Sequence, residues 1–426
     1  MANPKLAMIP TGYKAGKVYS VLPESGVGDF TFDRNSKATR VNENGLIEVM
    51  DNDVPRLDYT DGGCPSLLLE PESTNIIDYS EDFSQWVNSN SSDLSNQLIS
   101  PDGTLNANKL ITNNGSINGQ ITKSISKSAS AITYTYSVFA KKGEWNRCNL
   151  YVNDTATFSN RVQFFVDLET GEVIQASTIG NFSSASGFSE NYGNGWFRFS
   201  ITFTTSTETS ITARIYSIDS VVETGDGTSG IYIWGAQLEE SEYPTSYIPT
   251  NGSTVTRVAE TCNGAGDAST FNDSEGVLMF EGSALTNLGT DRRIAISDGT
   301  TSNRVFFYYA PNIDQISAII VSGGATQVNI PILGVQSKNT KFAIKYKVND
   351  VLFWVNGFEI GTDVVATMPS NLSELAFDDG GGNNDFYGNT KQIQYFDSTL
   401  TDAELETLTS WQSFLEMANA QNYTII

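Results

Sequence analysis

The stretch GIYIWGAQLEESEYPTSYIPT (residues 230–250) is the part of the chain that decides its fold. It begins with the β-branched and aromatic run IYIW (231–234), which is typical of a strand. It then becomes acidic and reaches Pro244 and Pro249, which lack a backbone N–H and cannot continue a ladder. The stretch therefore predicts a strand that closes a sheet, followed by a segment that leaves the sheet.

Strand patterns recur along the rest of the chain. Alternation of apolar and polar residues predicts antiparallel strands with one buried face at WFRFSITFT (196–204), AITYTYSVFA (131–140) and KFAIKYKVN (341–349). In the last of these, Phe342, Ile344, Tyr346 and Val348 should face inward and the three lysines outward. Hairpin connections are predicted at DLETGEV (167–173) and VNDVLFWVNG (348–357).

The one convincing helix pattern is TDAELETLTSWQSFLEMA (401–418). Thr401 and Glu404 have the spacing of a capping box at its start. An apolar stripe follows at helical spacing and should pack on the core; its members are Leu405, Leu408, Trp411 and Leu415. The pattern predicts a short C-terminal helix with Trp411 in the core.

Composition limits the function. The 426 residues include 25 Lys and Arg against 49 Asp and Glu, a net charge of −24, which argues against binding to nucleic acid or anionic lipid. Histidine is absent, which removes Ser-His-Asp triads and His-containing metal sites. The three separated cysteines indicate free, buried thiols rather than a disulfide framework or a zinc site.

The sequence shows neither a signal peptide nor an apolar stretch of the roughly 20 residues that cross a bilayer. We therefore expect synthesis in the cytoplasm and no membrane insertion. Four regions are predicted: an irregular segment 1–75, a β unit 76–260, a second β unit 261–412 and a tail 413–426. The expected fold class is all-β, with two antiparallel β-sandwich (jelly-roll) domains after the irregular region.

A series of motifs in the first β unit is similar to jelly-roll, carbohydrate-binding-module-like domains of bacteriophage virion proteins. The series is YSEDFSQW (79–86), SPDGTLNANKL (100–110), YTYSVFAKKGEW (134–145), YGNGWFRFSITF (192–203), TGDGTSGIYIWGAQLE (224–239) and PTSYIPTNGSTVTR (244–257). The resemblance implies that GIYIWGAQLE is the last strand of the sandwich, near the first strand after DFSQW.

The flanking regions carry further resemblances. LAMIPTGYKAGKVYSVLPESGVGDFTFDRNSKATRVNENGLIE (6–48), VPRLDY (54–59) and CPSLLLEPESTNII (64–77) resemble the leading segments of phage head-fibre and tail-fibre proteins. That likeness implies that residues 1–75 attach the chain to other virion proteins. KFAIKYKVNDVLFWVNGFEIG (341–361) and NDFYGNTKQIQYFDSTLTDAELETL (384–408) resemble concanavalin A-like or laminin-G-like sandwiches.

Two aromatic residues are candidates for sugar contact. Trp145 lies in the charged segment KKGEWNR, and Tyr192 precedes Trp196 in a turn. An aromatic face can cover the C–H patch of a sugar ring, although packing at a sheet edge is the alternative for both residues. Trp196, Trp234 and Trp354 are expected to pack in the protein interior.

Two acidic loops and one further aspartate are candidates for calcium, because hard cations need several converging oxygens. The loop candidates are Asp226 in TGDGTSG and Asp378, Asp379 and Asp385 in FDDGGGNND. Asp82 in DFSQW is a candidate because the resemblance to jelly-roll modules implies a calcium held near their first and last strands. Solvated turn residues are the alternative. The last strand carries Trp234 and Gly235 where related jelly rolls have an acidic pair, so it departs from their calcium pattern. No other cofactor is expected.

The resemblances imply a head or tail fibre on a virion surface, with sandwiches that bind host or environmental glycans weakly. Such fibres are commonly homotrimers, which makes weak sites avid. A decoration protein without a ligand is one alternative. A virion-associated polysaccharide depolymerase is another, but no motif supports a catalytic carboxylate pair, so we expect no enzyme.

Overall fold

The computed structural model describes residues 2–218, 224–285 and 289–421. Antiparallel β-sheets dominate these residues, which confirms the all-β fold class. The chain divides into two compact units. Unit 1 comprises Met1–Lys37, Met50–Pro71 and Val258–Ile426, and unit 2 comprises Ala38–Val49 and Glu72–Arg257.

Short strands make up the N-terminal part of the chain. In order, they are Leu6–Met8 (β1), Tyr13–Lys14 (β2), Lys17–Val18 (β3), Phe30–Asp33 (β4), Ala38–Val41 (β5), Ile47–Met50 (β6), Arg56–Asp58 (β7), Ser66–Leu69 (β8) and Ser73–Asn75 (β9). Residues 1–75, predicted as an N-terminal attachment region, contribute strands to both units. Their role in attachment stays a prediction.

Longer strands follow in the middle of the chain. They are Val87–Ser89 (β10), Ser91–Ile99 (β11), Leu105–Thr112 (β12), Gln120–Ser126 (β13), Thr133–Lys141 (β14), Arg147–Asp154 (β15), Arg161–Asp167 (β16), Val173–Ile179 (β17), Ser183–Asn191 (β18), Trp196–Thr204 (β19), Ser210–Ile218 (β20), Gly230–Glu239 (β21) and Val255–Arg257 (β22). One 3₁₀ turn, Phe83–Gln85, precedes them.

The C-terminal part adds eleven strands and two helices among the described residues. The strands are Thr261–Asn263 (β23), Glu275–Ala284 (β24), Arg292–Ser297 (β25), Arg304–Tyr309 (β26), Gln315–Ser322 (β27), Ala325–Leu333 (β28), Thr340–Lys347 (β29), Val351–Val355 (β30), Phe358–Asp363 (β31), Glu374–Ala376 (β32) and Gly388–Phe396 (β33); the helices are Asp402–Thr409 (α1) and Phe414–Ala420 (α2).

Unit 2 is a sandwich of two six-stranded sheets. One sheet has the order β10-β13-β20-β15-β16-β17 and the other β11-β12-β21-β14-β19-β18. Inward side chains such as Leu150, Phe199 and Ile233 form its core. Strand β21, which is residues 230–239, lies between β12 and β14. The first strand after DFSQW is β10, which lies in the other sheet, so β21 does not pair beside it as the resemblance implied. The chain then leaves the sheet after Glu239, as the two prolines predict.

The outer face of the β21 sheet is also covered. Gly235, at a φ of 61°, lies where the β14–β21 register shifts, and this bulge changes the direction of the chain. Strand β19 was expected to bury one face, but Arg198 is only 3% exposed. Its Nη1 donates to the carbonyl of Thr245 at 2.7 Å, because the segment after β21 folds back over the sheet. The one-sided prediction for residues 196–204 is therefore wrong.

Unit 1 contains an eight-stranded sheet with the path β31-β30-β29-β24-β33-β8-β7, in which β1 also pairs with β33. A five-stranded sheet, β28-β27-β26-β25-β32, and a four-stranded sheet, β2-β3-β4-β23, complete it. Aromatic residues fill the core, and Phe342 lies 4.5 Å from Phe307 between ring centroids. Both predicted hairpin connections, at 167–173 and 348–357, are confirmed.

The second face of the eight-stranded sheet corrects another expectation. In β29, Lys341 and Lys345 are each 7% exposed, whereas Val348 is 54% exposed. The lysines are buried because the C-terminal segment covers their face, where Ala343 and Trp354 pack with Leu405 of α1. The strand itself and the outward Lys347 are confirmed, but the outward positions of Lys341 and Lys345 and the inward position of Val348 are wrong.

The C-terminal helix begins with the predicted capping box of Thr401 and Glu404. The helix ends at Ser410, however, and a second helix starts after Ser413. The break turns the predicted stripe, so Leu405 is buried, Trp411 is half-buried and Leu415 is 59% exposed. Residues 422–426 of the predicted tail lie outside the described residues.

The cysteines are all free, and Cys148 and Cys262 are buried as expected, whereas Cys64 is exposed. Among the described residues, no helix has the length and apolar character to span a membrane.

Candidate functional site

Unit 2 has a cleft of about 510 Å³, and most of the residues that line it have polar side chains. Its lining residues come from the two positions before the 3₁₀ turn, from β11 and β12 and from the segment after β21. They are Glu81, Asp82, Ser95, Asn96, Asn106, Asn108, Pro249, Thr250 and Asn251. Four of them are asparagines and two are carboxylates. The volume lies within the roughly 300–1,000 Å³ of small-molecule sites.

Local backbone features position these side chains. Asp82 is the N-cap of the 3₁₀ turn, and its Oδ1 accepts from Ser84 N at 3.2 Å. Asn96 has a φ of 57° inside β11, at the register shift between Leu94 and Leu98. Asparagine tolerates this left-handed conformation, and bulges commonly redirect side chains beside binding sites. Asn106 and Asn108 are two residues apart in β12 and therefore share a face.

Two of the lining residues, Glu81 and Asn106, belong to a carboxylate–amide network. Asn106 Nδ2 donates to Glu81 Oε2 at 3.3 Å and to Asp102 Oδ2 at 3.2 Å. Tyr247 Oη donates to Glu81 Oε1 at 2.9 Å. Burial raises the pKa of Glu81, the hydrogen bond from Tyr247 lowers it, and the charge of Asp102 raises it further; the resulting pKa is above its ordinary value.

The proline-containing segment that borders the cleft is held by buried hydrogen bonds. Asn75 Nδ2 donates to the carbonyls of Ala236 and Ile248, at 3.1 and 2.9 Å. Thr250 N donates to Ser80 Oγ at 2.8 Å. These contacts fix the wall that carries Thr250 and Asn251. The cleft is thus formed by a braced segment rather than by a free loop.

This set of groups suits hydroxyl-rich ligands. Asparagine amides present donors and acceptors in one plane, and carboxylates accept from hydroxyls. Asn96, Asn106, Asn108 and Asn251 were missed in the sequence analysis. The alternate amides in LNANKL (105–110) were the available signal, but asparagine is also common in turns.

The two predicted sugar-contacting aromatics lie elsewhere. Trp145 is 5% exposed and packs in the core of unit 2, where its backbone N donates to Gly230 O at 3.2 Å. Tyr192 is half-buried and makes an edge contact with Phe139 at 4.9 Å. The structure does not bring either residue to the cleft lining, so we place neither in the glycan site proposed below. Trp196 and Trp234 pack on the outer face of the sheet.

Of the calcium candidates, Asp82 lines the cleft and Asp226 lies in an exposed turn. Hydrogen bonds from Ser229 and Thr228 hold the pKa of Asp226 well below its usual range. The structure brings Asp378, Asp379 and Asp385 together in unit 1, where Asp379 Oδ1 accepts from Gly381 N at 2.9 Å. Across the described ranges, no group of three acidic or thiol residues could hold a metal ion. Calcium binding stays a prediction.

The acidic loop of unit 1 predicts a pH dependence of stability. Burial, with neighbouring carboxylates, raises the pKa of Asp378 and that of Asp385 from 3.8 to about 6. A raised pKa means that the folded state binds the proton more tightly than the unfolded state does. Protonation of these two carboxyls therefore stabilises the fold, and this contribution is complete below about pH 4 and is lost as the pH rises through 6. We expect the melting temperature of unit 1, measured by calorimetry in EDTA, to fall between pH 4.5 and 7.5 by this contribution. Asp378→Asn should flatten that fall, and an unchanged slope in this variant would contradict the assignment.

No family model matches the sequence, and no curated protein matches it. Solved structures give distant similarities. A CBM40 of Ruminococcus gnavus IT-sialidase bound to alpha2,3 sialyllactose is 14% identical, with a TM-score of 0.30, over 34% of this chain and 88% of that chain. Domains LG4-5 of the mouse laminin alpha1 chain are 7% identical, with a TM-score of 0.22, over 66% and 86% of the two chains.

Trypanosoma rangeli sialidase is 11% identical, with a TM-score of 0.29, over 89% of this chain and 77% of that one. At these TM-scores the similarities carry no argument about function. The function proposed below therefore depends on the residues of the cleft.

Proposed function

We propose that this chain is a glycan-binding β-sandwich protein, and that its binding site is the unit 2 cleft. The observation that carries the proposal is the convergence of four asparagines and two carboxylates from separate segments on one cleft of about 510 Å³. Polar residues that merely expose a turn to solvent would not need to gather at one cleft. A saccharide, by contrast, offers several hydroxyls at fixed spacing, each able to donate to a carboxylate and to accept from an amide.

The charge of the cleft indicates the kind of glycan. Glu81 and Asp82 line it, and Asp102 shares the amide of Asn106 with Glu81. An anionic sugar would meet these carboxylates and be repelled. We therefore propose neutral or amino sugars as ligands, in preference to sialic or uronic acids.

Display on a phage particle is the second part of the proposal. It rests on the resemblance of segments in residues 1–75 to phage fibre proteins, which implies attachment to a virion as a head or tail fibre. We propose a homotrimer, because linked copies of a weak site gain avidity. Native mass measurement of the purified chain and immunolabelling of particles test these points. A stable monomer, or a chain absent from purified particles, would contradict them.

A matched pair of variants tests the cleft. Asn96 and Asn194 both have positive φ, 57° and 51°, and glycine keeps either backbone while deleting the amide. We expect Asn96→Gly combined with Asn251→Ala to weaken binding to a neutral-glycan array about tenfold, or about 1.4 kcal/mol. Asn194→Gly, outside the cleft lining, should bind as the wild type does. Equal binding by both variants would overturn the assignment.

The same array distinguishes a glycan-binding protein from a decoration protein that has no ligand. We expect the chain to bind neutral glycans on the array more strongly than glycans that contain sialic or uronic acids. A chain that binds none of them at a concentration where avidity should show would instead be an architectural decoration protein.

A polysaccharide depolymerase is the second candidate function, and one observation favours it. Glu81 has a raised pKa and Asp102 lies on the same amide, and a buried acid beside a second carboxylate is the arrangement that glycosidases use. Release of reducing ends from polysaccharide by the wild type, abolished in Glu81→Gln, would establish it. We expect no release.

A further inference from the structure

Unit 1 has a separate cleft of about 700 Å³. Its lining includes Glu281 of β24, Asn389 of β33, Asn339 before β29 and Trp411 between α1 and α2. The cleft therefore forms where the C-terminal segment meets the eight-stranded sheet. No binding or metal site predicted from the sequence motifs lies in this cleft.

The charged groups of this cleft are already paired. Lys341 Nζ lies 3.3 Å from Glu416 Oε1 and 3.9 Å from Glu281 Oε2. Lys391 Nζ lies 3.5 Å from Asp61 Oδ2. A charged ligand would have to displace one partner of these ion pairs before it could pair with the other. The cleft thus favours a neutral ligand.

Two polar atoms on its lining residues, in contrast, lack partners. The indole Nε1 of Trp411 and the Oδ1 of Asn339 are buried and make no hydrogen bond to any described residue. The first is a donor only and the second is an acceptor. Buried polar groups are nearly always satisfied, so an unpartnered donor and acceptor on one cleft require an explanation.

Sugar hydroxyls suit both atoms, since a hydroxyl can accept from the indole N–H of Trp411 and another can donate to the Oδ1 of Asn339. The Trp411 ring is also held in place, because Lys341 Nζ lies 4.5 Å from its centroid on a cation–π contact. An aromatic ring fixed beside a donor and an acceptor suits a polyhydroxylated ring.

We propose that this cleft of unit 1 is a second saccharide site, for a neutral sugar, with Trp411 and Asn339 as its binding residues. The proposal rests on the glycan-binding function proposed above but on different residues in a different unit. Each chain would then hold two sugars, and an oligomer would multiply both sites.

The test isolates unit 1 within the full chain. The background protein carries Asn96→Gly and Asn251→Ala, which impair the unit 2 cleft. Maltotriose, cellotriose and N,N′,N″-triacetylchitotriose are titrated by calorimetry, and indole N–H resonances are followed by NMR. We expect one of these sugars to bind the background protein at one site per chain and to shift the Trp411 indole resonance.

Variants then assign the residues. Trp411→Phe keeps a ring and removes the N–H, and Asn339→Ala removes the acceptor; each should weaken binding about tenfold, or about 1.4 kcal/mol. Trp234→Phe is the matched control, because it also deletes an unpartnered buried indole N–H but lies in unit 2. It should leave this affinity unchanged.

Two results would overturn the second site. One is a background protein that binds none of the three sugars at about 10 mM, a concentration at which even the weakest useful sites fill. The other is wild-type affinity in both Trp411→Phe and Asn339→Ala. If the wild type binds sugar and the background protein does not, the unit 2 function stands and only this proposal fails.

Discussion

Replacing Glu260 with alanine should destabilise unit 1 by about 3–5 kcal/mol, because it removes one partner of a buried ionic network. Glu260 is fully buried, and its Oε1 accepts from Arg34 Nη1 at 2.8 Å and from Arg56 Nε at 2.9 Å. Glu70 N donates to its Oε2 at 2.9 Å. The variant would leave two buried guanidinium groups with much of their counter-charge removed. Urea unfolding followed by circular dichroism measures the loss.

The same network sets the ionisation of Arg56. Burial alone would lower the pKa of its guanidinium, but Glu260 and Glu70 outweigh burial and raise it above its ordinary value. Arg56 therefore stays charged at every accessible pH. A neutral side chain at position 260 leaves this charge without its main partner.

An exposed ion pair in the same unit provides the control. The side chains of Lys37 and Asp51 are 70% and 80% exposed and their charges lie 3.7 Å apart. Lys37→Gln should change the free energy of unfolding by less than about 1 kcal/mol, as surface pairs contribute little. Similar losses in Glu260→Ala and Lys37→Gln would contradict the importance of the buried network.

Replacing Trp234 with alanine should destabilise unit 2 by about 3–5 kcal/mol, the range for a large aromatic deleted from a packed interior. Trp234 is 1% exposed, and its ring centroid lies 4.7 Å from that of Tyr247 and 5.2 Å from that of Phe139. The loss should extend to the cleft, because Tyr247 donates to Glu81. Both the melting temperature of unit 2 and its affinity for glycan should therefore fall.

Trp234→Phe separates packing from hydrogen bonding. The indole N–H of Trp234 is buried without a partner among the described residues, so phenylalanine removes an unsatisfied donor while keeping most of the ring. Because phenylalanine is smaller and leaves a cavity, we expect a cost of about 1–3 kcal/mol, which is less than the cost of alanine. A phenylalanine variant as unstable as the alanine variant would show that the N–H has a partner in solution.

Strand positions followed from the sequence because alternation is a local property. Phe199 and Ile201 are fully buried, as the period of two predicts. The helix start was equally local, since Thr401 and Glu404 need only each other. The hairpin at 348–357 depends on Asn349, whose φ of 59° asparagine tolerates.

The second faces of those strands could not be read locally. Arg198 and Lys341 alternate with apolar residues as exposed side chains do, yet later segments of the chain cover them. Trp145 shows the reverse error, because its charged neighbours indicated an exposed loop and the backbone contact with Gly230 brings it inside. Whether a polar face meets water depends on distant residues, and periodicity carries no information about them.

The sequence by itself determined the all-β class and the positions of the main strands, including residues 230–239. Only the tertiary structure decided which side chains meet. It joined Glu260 to Arg34 across 226 positions, and Trp411 to Lys341 across 70. It also gathered Asn96, Asn108 and Asn251 into one cleft. Strands form from contacts a few residues long, whereas networks and clefts form where segments far apart in the chain converge.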